Sequence, residues 1–394
     1  MRLNEILKPT FWKVASVIIV TAGLISTYFR FTSGLGATTN LHDTVPWGLW
    51  IGFDYLCVGL AAAGFTIAAT VHIFHIHKYE PLVRPAILTA FLAYSVVVCL
   101  LVVDLGRPQN FWHPIIMWNT HSVMFEISWC LICYNIVLIL EFAPVVLEKY
   151  NFKVPIKILK RISIPLVIAG VIFSTLHQSS FGSLYLIVPE RLHPLWYSSL
   201  LPVHFYISCI AAGLSMIIFE SYLIARTFTG EEGFHNTGLK MNVLSGTGLA
   251  ILALLSAGLL LKIDEFIENG KLVYLTILST ETSLFYLEIV TGTVIPVFLL
   301  ARRKFREDKK WLYIISVCVI SGFILNRINV AITGFTASSG VNYFPSFDEI
   351  SITMMLVTLA LIAFRIIAKN FSLFAGNEEP AAILKDRMRI INNN

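Results

Sequence analysis

Charged residues are scarce in this sequence. Asp, Glu, Lys and Arg make up 13% of the 394 residues, about half of the roughly 25% that is usual in soluble domains, whereas 56% of the residues are hydrophobic. A folded chain of this composition would expose more apolar surface than water tolerates. The composition therefore excludes a soluble globular protein and predicts an integral membrane protein.

Cysteine is also scarce, and its placement does not fit the usual metal and redox motifs. All six cysteines fall inside apolar runs. Cys130 and Cys133 form a C-x-x-C pair, but the pair lies in the middle of a predicted helix, without the turn or the further ligands that such motifs need. We interpret the cysteines as small core residues and predict neither a metal site nor an iron–sulfur cluster in this chain.

Long apolar runs are abundant, and each run of about 20 residues predicts a membrane-spanning helix. The ten predicted spans are 12–30, 46–75, 83–105, 121–146, 158–180, 196–225, 240–263, 281–301, 311–332 and 347–369. The first run resembles a signal peptide, but it is long enough to span and no clear small-residue cleavage site follows it. We therefore predict a single all-α transmembrane domain over residues 1–370 and a polar tail over residues 371–394.

The basic residues predict the orientation of these spans. Ten spans place 23 of the 29 Lys and Arg residues on one side and six on the other. The six are Arg30, Arg107, Arg191, Lys262, Lys271 and Arg327. Because basic loops stay in the cytoplasm, both termini and the tail are predicted to be cytoplasmic. The net charge of +5 then reflects topology and gives no reason to predict nucleic-acid binding.

Four ionisable residues lie in the outer third of four successive predicted spans: Asp54, Asp104, Glu126 and His177. Antiparallel helices joined by short loops generally pack together, so these side chains are expected to converge. Each also has a structural explanation, as a helix cap, a solvated helix end or an interfacial pair. Ionisable groups at membrane depth nevertheless favour a functional site.

A second set of polar residues occurs in the later spans. His204, Glu288 and Arg327 lie towards the outer side, where they suit either a structural ion pair or a proton path. Glu141 and Glu220 lie near the cytoplasmic ends of their spans. They are either interfacial or a proton entry.

The chemistry of the first set suits a quinone. A quinone head group needs hydrogen-bond partners for its carbonyls and a nearby proton donor, and histidine serves well because its pKa lies near neutrality. His177 with Ser179 or Ser180, near Asp54 and Asp104, meets this description, and Trp50 is either an interface anchor or a stacking ring. Haem b would need facing histidine pairs, and a solute transporter would favour paired broken helices; both alternatives stay open.

Several stretches resemble one known family. They include PWGLWIGFD (46–54), VDLGR (103–107), NTHSVMFE (119–126), LHQSSFGSL (176–184), HPLW (193–196) and YFPSFDE (343–349). On these stretches the sequence resembles the NrfD-like membrane anchors, and it looks most similar to the HybB type, the integral membrane subunit of periplasmic nickel–iron hydrogenases.

The resemblance implies a fold and a site. It implies two four-helix bundles, formed by the second to fifth and the sixth to ninth helices and flanked by the first and last. It also implies a haem-free quinone site near the outer face of the first bundle, with His177, Asp104 and Asp54 matching the family's site residues. His204 departs from the family pattern, which is apolar at that position.

We accordingly expect a quinone-reactive subunit in the bacterial inner membrane. Electrons from hydrogen would pass through a periplasmic ferredoxin-like iron–sulfur subunit, attached to the large and small nickel–iron subunits, to menaquinone bound by this chain. The alternative is a related quinol-oxidising subunit whose partner is a molybdenum reductase or a multihaem cytochrome. His177 is expected to contact a quinone carbonyl.

Overall fold

The computed structural model describes residues 11–228 and 241–371. Within these ranges the chain is α-helical and contains no β-strand, as the composition predicted. The long helices are α1 (Phe11–Ser33), α2 (Leu49–His72), α3 (Glu80–Asp104), α4 (Val123–Lys149), α5 (Lys153–Leu186), α6 (Leu201–Phe228), α7 (Met241–Glu268), α8 (Thr280–Ala301), α9 (Lys309–Ser339) and α10 (Phe347–Asn370). The predicted tail lies outside the described residues, except for Phe371.

Nine of these helices, all except α5, are long and apolar enough to cross a membrane. Short polar side chains fix several of their starts. Ser122, Ser279 and Asp308 accept backbone N–H groups at the starts of α4, α8 and α9, and Ser346 forms a capping box with Glu349 at the start of α10. Such caps satisfy the free N–H groups of a first helical turn.

Helix α5 is longer than the predicted span 158–180, because it runs from Lys153 to Leu186. The polar stretch HQSSFGSL was expected to close the helix, but it lies inside it. The Ser179 and Ser183 hydroxyls donate to the carbonyl oxygens of Thr175 and Ser179, at 2.9 and 3.2 Å. Since these hydroxyls are satisfied by the preceding turn, they need no loop or water.

The helices pack in a defined order. Helices α2, α3, α4 and α5 contact one another in sequence, with α5 returning against α2; we call them the first helix group. Helices α6, α7, α8 and α9 do the same, with α9 returning against α6; we call them the second helix group. Helix α6 contacts α2 and α5, and α10 packs between α1 and α3.

The two groups hold the buried core between them. The count of ten membrane crossings stays a prediction, as does the description of the groups as two four-helix bundles.

Candidate functional site

His177 lies in the interior of the first helix group. Its side chain has no exposed surface, and its ring meets those of Tyr94 and Phe181 edge to face, with centroids 5.5 and 4.7 Å apart. Tyr94 belongs to α3 and contacts Tyr134 of α4, with centroids 4.3 Å apart. The imidazole therefore packs against rings of α3 and of its own helix, and a ring of α4 supports Tyr94 from behind.

Several polar atoms in this interior lack a hydrogen-bond partner among the described residues. They are both ring nitrogens of His177, both carboxylate oxygens of Asp54, Trp50 Nε1, Gln178 Oε1 and the Tyr94 hydroxyl. A buried polar group costs free energy unless it is hydrogen-bonded, and hydrocarbon supplies no partners. Each of these atoms could hydrogen-bond to water or to a polar group of a ligand.

Asp54 is buried in α2, with a side chain that is 1% exposed. The next residue, Tyr55, has its ring 4.6 Å from that of Phe181, and Phe181 in turn contacts His177. Asp54 and His177 are therefore both buried in the first helix group, and the residue after Asp54 contacts a neighbour of the His177 ring.

Glu126 and Ser180 meet directly. The Ser180 hydroxyl lies 2.8 Å from Glu126 Oε1 and 2.7 Å from the carbonyl oxygen of Leu176, and it donates to one of them. Glu126 is near the start of α4 and Ser180 is near the end of α5, so these helices run antiparallel along a shared length. Glu126 is exposed, which places this pair at the rim of the buried region.

Asp104 is the last residue of α3. It lies ten residues beyond Tyr94, which corresponds to about 15 Å along a helix. Its charge interacts with those of Asp54, Arg30 and Glu349. Asp104 therefore lies near Asp54, whereas the ring of α3 that contacts His177 belongs to a residue further inside the helix.

Trp50 packs towards the outside of the first helix group. It is buried against Val96, Leu100 and Val103 of α3 and Ile352 of α10. Its position, one turn before Asp54, leaves Nε1 inside the protein rather than at an interface.

A cavity of about 110 Å³ lies in the second helix group. Its polar lining includes His204, Lys262, Glu265, Glu288 and Arg327, and its apolar lining includes rings such as Phe205 and Phe266. At about 30 Å³ per molecule, this volume holds three or four waters. It is well below the ~300 Å³ that is typical of a ligand pocket.

Glu288 is fully partnered at the wall of this cavity. It accepts hydrogen bonds from Trp196 Nε1, Asn326 Nδ2 and Asn329 Nδ2, at 2.9, 2.7 and 2.9 Å. Lys262 Nζ lies 3.8 Å from Glu288 Oε1. The three neutral donors hold the carboxylate in place.

Arg327 is 1% exposed and faces α6. It donates to Ser208 Oγ at 2.8 Å and to Asn326 Oδ1 at 2.5 Å, and its guanidinium lies 3.8 Å from the Phe205 ring centroid. No carboxylate of the described residues lies within 4.0 Å of it. Asn326 therefore bridges the two charged groups: its amide oxygen accepts from Arg327 and its amide NH₂ donates to Glu288.

A cluster of rings covers the end of this cavity. The backbone N–H of His193 donates to the Gly334 carbonyl oxygen at 2.9 Å, and the His193 ring contacts Trp196 and Tyr274. Burial lowers the pKa of His193, although the charge of Glu281 raises it in part. His193 is therefore a neutral structural residue near pH 7.

Glu141 and Glu220 do not join either site. Glu220 is 8% exposed and accepts a hydrogen bond from the Thr89 hydroxyl at 2.7 Å. Glu141 keeps one buried oxygen without a partner among the described residues. Both lie in the opposite halves of their helices from Glu126 and His204.

The sequence analysis missed several residues of the second helix group. Glu265 accepts hydrogen bonds from Ser198 at 2.5 Å and Lys271 at 2.7 Å, and His204 Nε2 lies 3.4 Å from it. The predicted span ended at 263, whereas α7 continues to Glu268. The spacing of Lys262 and Glu265, one turn apart at the end of an apolar run, was the available signal.

Comparison with known proteins gives a family match over most of the chain. Residues 37–338 match the family model described as "Polysulphide reductase, NrfD". The chain is 30% identical, over 86% of each sequence, to the "Probable Ni/Fe-hydrogenase 2 b-type cytochrome subunit" of Escherichia coli.

Two further relatives belong to other complexes. The "Menaquinone reductase, integral membrane subunit" of Nitratidesulfovibrio vulgaris is 31% identical over 44% of this chain and 43% of the relative. A selenate reductase subunit from Mesobacillus selenatarsenatis is 23% identical over 95% of this chain and 96% of the relative. All three are named as subunits, which implies that such proteins act with partners.

Proposed function

Because the chain belongs to the NrfD family, whose members are membrane subunits of quinone-linked oxidoreductase complexes, we propose that it is the quinone-reactive subunit of a periplasm-facing respiratory hydrogenase. It receives electrons that originate in hydrogen and passes them to menaquinone. The similarity to the Escherichia coli hydrogenase subunit supports the choice of hydrogenase, and the similarity to a menaquinone reductase subunit supports the choice of quinone.

The unpartnered polar atoms around His177 carry this proposal. Reducing a quinone consumes two electrons and two protons, and its two carbonyl oxygens must be hydrogen-bonded and then protonated. His177 donates to one carbonyl, and Asp54 supplies a proton to the same interior. The aromatic rings around them hold the planar head group and exclude lipid.

Access to His177 requires a side-chain movement. The imidazole has no exposed surface, so a head group contacts it only after Phe181 or Tyr94 rotates. Ser180 and Glu126 lie about one helical turn from His177 and form the rim past which the quinone enters. Asp104, at the end of α3, passes protons between Asp54 and the aqueous phase, and Trp50 closes the pocket beside it.

The orientation and the partners belong to the same proposal. The distribution of Lys and Arg supports ten crossings of a bacterial inner membrane with both termini in the cytoplasm. The quinone pocket then lies towards the periplasm, where a ferredoxin-like iron–sulfur subunit delivers electrons from the nickel–iron subunits. This chain supplies neither haem nor an iron–sulfur cluster.

A second candidate function differs in the partner subunit and in the direction of electron flow. The selenate reductase relative covers 95% of the chain, which favours a complex in which a quinol is oxidised and a molybdenum reductase or multihaem cytochrome accepts the electrons. The pocket residues serve both directions, because proton transfer at His177 and Asp54 is reversible.

Substitution of His177 tests the quinone site. In the purified complex, His177→Ala should lower menaquinone-dependent turnover about 100-fold or more, the usual scale for losing a general acid or base. Turnover with a dye that accepts electrons from the partner subunit should be unchanged. His121→Ala is the matched control, since His121 is exposed in the loop before α4. Normal menaquinone turnover in His177→Ala would reject the site.

Purification of the intact complex tests the partner. An affinity tag on this chain should recover nickel–iron subunits and a ferredoxin-like subunit, and the spectrum of the complex should show no haem Soret band. Recovery of a molybdenum or multihaem subunit instead would establish the second candidate. A stoichiometric haem assigned to this chain would reject both.

Proton movement is the remaining part of the proposal. Glu141 and Glu220 lie in the predicted cytoplasmic half, and His204, Glu288 and Arg327 lie in the outer half. We assign them to a proton path that accompanies quinone chemistry. The buried position of Glu220, with Thr89 as its hydrogen-bond donor, supports a carrier at the cytoplasmic end.

A further inference from the structure

The charged cavity of the second helix group is unusual because its ionisable groups are of two kinds. Some are held by several short hydrogen bonds, and others have no hydrogen bond to the groups that face them. We call the cavity and these side chains the charged chamber. Its members are His204, Lys262, Glu265, Glu288 and Arg327, with Lys271 bonded to Glu265 at its rim.

Four members have fixed charges. Glu288 accepts three hydrogen bonds from neutral donors, and Glu265 accepts from Ser198 and Lys271. Lys271 also donates to the Tyr197 carbonyl oxygen at 2.7 Å, and arginine keeps its proton in proteins. The two carboxylates and these two cations carry equal and opposite charge, so together they are neutral.

Lys262 and His204 are the variable members. Lys262 Nζ lies 3.8 Å from Glu288 Oε1, beyond hydrogen-bond distance, and about 5.0 Å from the centre of the Phe285 ring. His204 Nε2 lies 3.4 Å from Glu265 Oε2 and makes no hydrogen bond among the described residues. Because the other four charges cancel, each proton on this pair adds an uncompensated charge to a buried space.

We propose that, within the proton path assigned above, Lys262 and His204 hold one exchangeable proton in the charged chamber, whereas Glu288 and Arg327 serve that path as hydrogen-bonded positioning residues and exchange none. In the exchange, the Lys262 ammonium releases one proton to the His204 imidazole or to water in the chamber, and later regains it. No bond between heavy atoms forms and no electron moves. This inference rests on the proposed function in one respect: menaquinone turnover supplies the driving force for the proton exchange.

The surrounding charges allow such an exchange. On α7, Asp264 and Glu268 are exposed at the same end as the chamber. Arg327 of α9 and Glu288 of α8 oppose each other through Asn326. The thiol of Cys209 on α6 accepts from Arg327 at 3.3 Å. Among the described residues, Tyr197 is the one other residue with an ionisable side chain that lines the chamber.

Arg327 also links the chamber to the first helix group. Its guanidinium lies 3.8 Å from the Phe205 ring centroid, the Phe205 ring contacts that of Tyr55, and Tyr55 contacts Phe181 beside His177. A change of charge at the quinone pocket therefore alters the potential at Arg327. Through Asn326 and Glu288, this change reaches the ammonium of Lys262.

The test replaces the two lysines of the chamber in the same way. The complex is reconstituted in liposomes that contain a pH-sensitive dye, and protons moved per two electrons are measured during menaquinone turnover. Lys262→Arg keeps the positive charge but abolishes exchange, so the ratio should fall to the value of quinone chemistry alone. Lys262→Met should lower the proton ratio to the same value. Lys262→His should retain part of the protons that the wild type moves beyond quinone chemistry. Lys271→Arg should equal the wild type.

The outcomes separate this inference from the proposed function. Menaquinone turnover of Lys262→Arg in detergent should stay within about twofold of the wild type, because Lys262 lies outside the quinone pocket. An unchanged proton ratio in Lys262→Arg would overturn the inference, as would a wild-type ratio that equals quinone chemistry alone. Absence of any menaquinone turnover in the wild type would reject the proposed function instead.

Discussion

Two buried carboxylates of this protein differ in their surroundings. Asp54 has no hydrogen-bond partner among the described residues, whereas Glu288 accepts three hydrogen bonds. A carboxylate without donors is poorly stabilised as an anion and readily takes up a proton. A carboxylate with three donors holds other side chains in place. The two acids should therefore respond differently to the same kind of substitution.

Asp54→Asn should lower menaquinone turnover strongly without unfolding the protein. The amide has the same shape, and no hydrogen bond to the described residues is lost. We expect menaquinone turnover to fall about 100-fold, the lower end of the range for a general acid or base, with an unchanged thermal midpoint in detergent. Asp104→Asn, at the end of α3, is the comparison, and it should lower menaquinone turnover less than tenfold. A larger loss in Asp104→Asn would contradict this assignment.

Glu288→Gln should mainly lower stability. Its new NH₂ group must face Asn326 Nδ2 on one side, or Asn329 Nδ2 and Trp196 Nε1 on the other, and none of these donors can accept. Leaving buried donors unpaired costs about 1–3 kcal/mol. The thermal midpoint of the purified protein measures this loss. An unchanged midpoint would mean that these hydrogen bonds do not hold α8 and α9 together.

The burial of His177 and Asp54 was easier to predict from the sequence than that of Glu265, for a physical reason. His177 and Asp54 are isolated ionisable residues in apolar runs, so their burial follows from hydropathy. Glu265 lies where the apolar run ends, and hydropathy cannot tell a buried end of a helix from a loop. Its burial depends on Ser198 and Lys271, which come from other segments.

Helices α8 and α9 cross at their glycines. A Cβ at Gly322 would lie 2.0 Å from Gly292 Cα, and a Cβ at Gly292 would lie 2.7 Å from Gly322 Cα. Small residues let membrane helices approach closely. Each helix contains a π-helical turn: Val290–Val294 in α8, which includes Gly292, and Asn329–Thr333 in α9, which follows Gly322. Each turn begins two residues after a charged member of the chamber, so the crossing sets the spacing of Glu288 and Arg327.

Gly322→Ala should separate these helices. The added methyl group meets backbone rather than a flexible side chain, and overpacking of this kind costs about 1–3 kcal/mol. We expect a lower thermal midpoint and a lower proton ratio, because Glu288 moves away from Asn326. Gly258→Ala on α7 is the control, since its Cβ would lie 3.5 Å from Ile207, at ordinary contact distance. An equal effect of both substitutions would reject the crossing as the cause.

At the scale of the whole molecule, the boundaries of α5 were the least predictable feature. Its apolar part was recognised in the sequence, but its ends are polar or basic. The helix extends through Ser179 and Ser183 because their hydroxyls bond to the preceding turn. Composition therefore underestimates a helix whose polar groups are satisfied internally, and the number of crossings cannot be obtained from hydropathy alone.

Reporter fusions in living cells test the path of α5 and with it the orientation of the chain. Because Ser180 near the end of α5 meets Glu126 near the start of α4, the two helices share their length, and we expect α5 to cross the membrane as α4 does. Alkaline phosphatase fused after Tyr150 should be inactive, and the same enzyme fused after Arg191 should be active. A fluorescent protein fused at the same positions should show the opposite pattern. Equal phosphatase activity at both positions would mean that α5 does not cross, and the side that we propose for a quinone pocket around His177 would then be rejected.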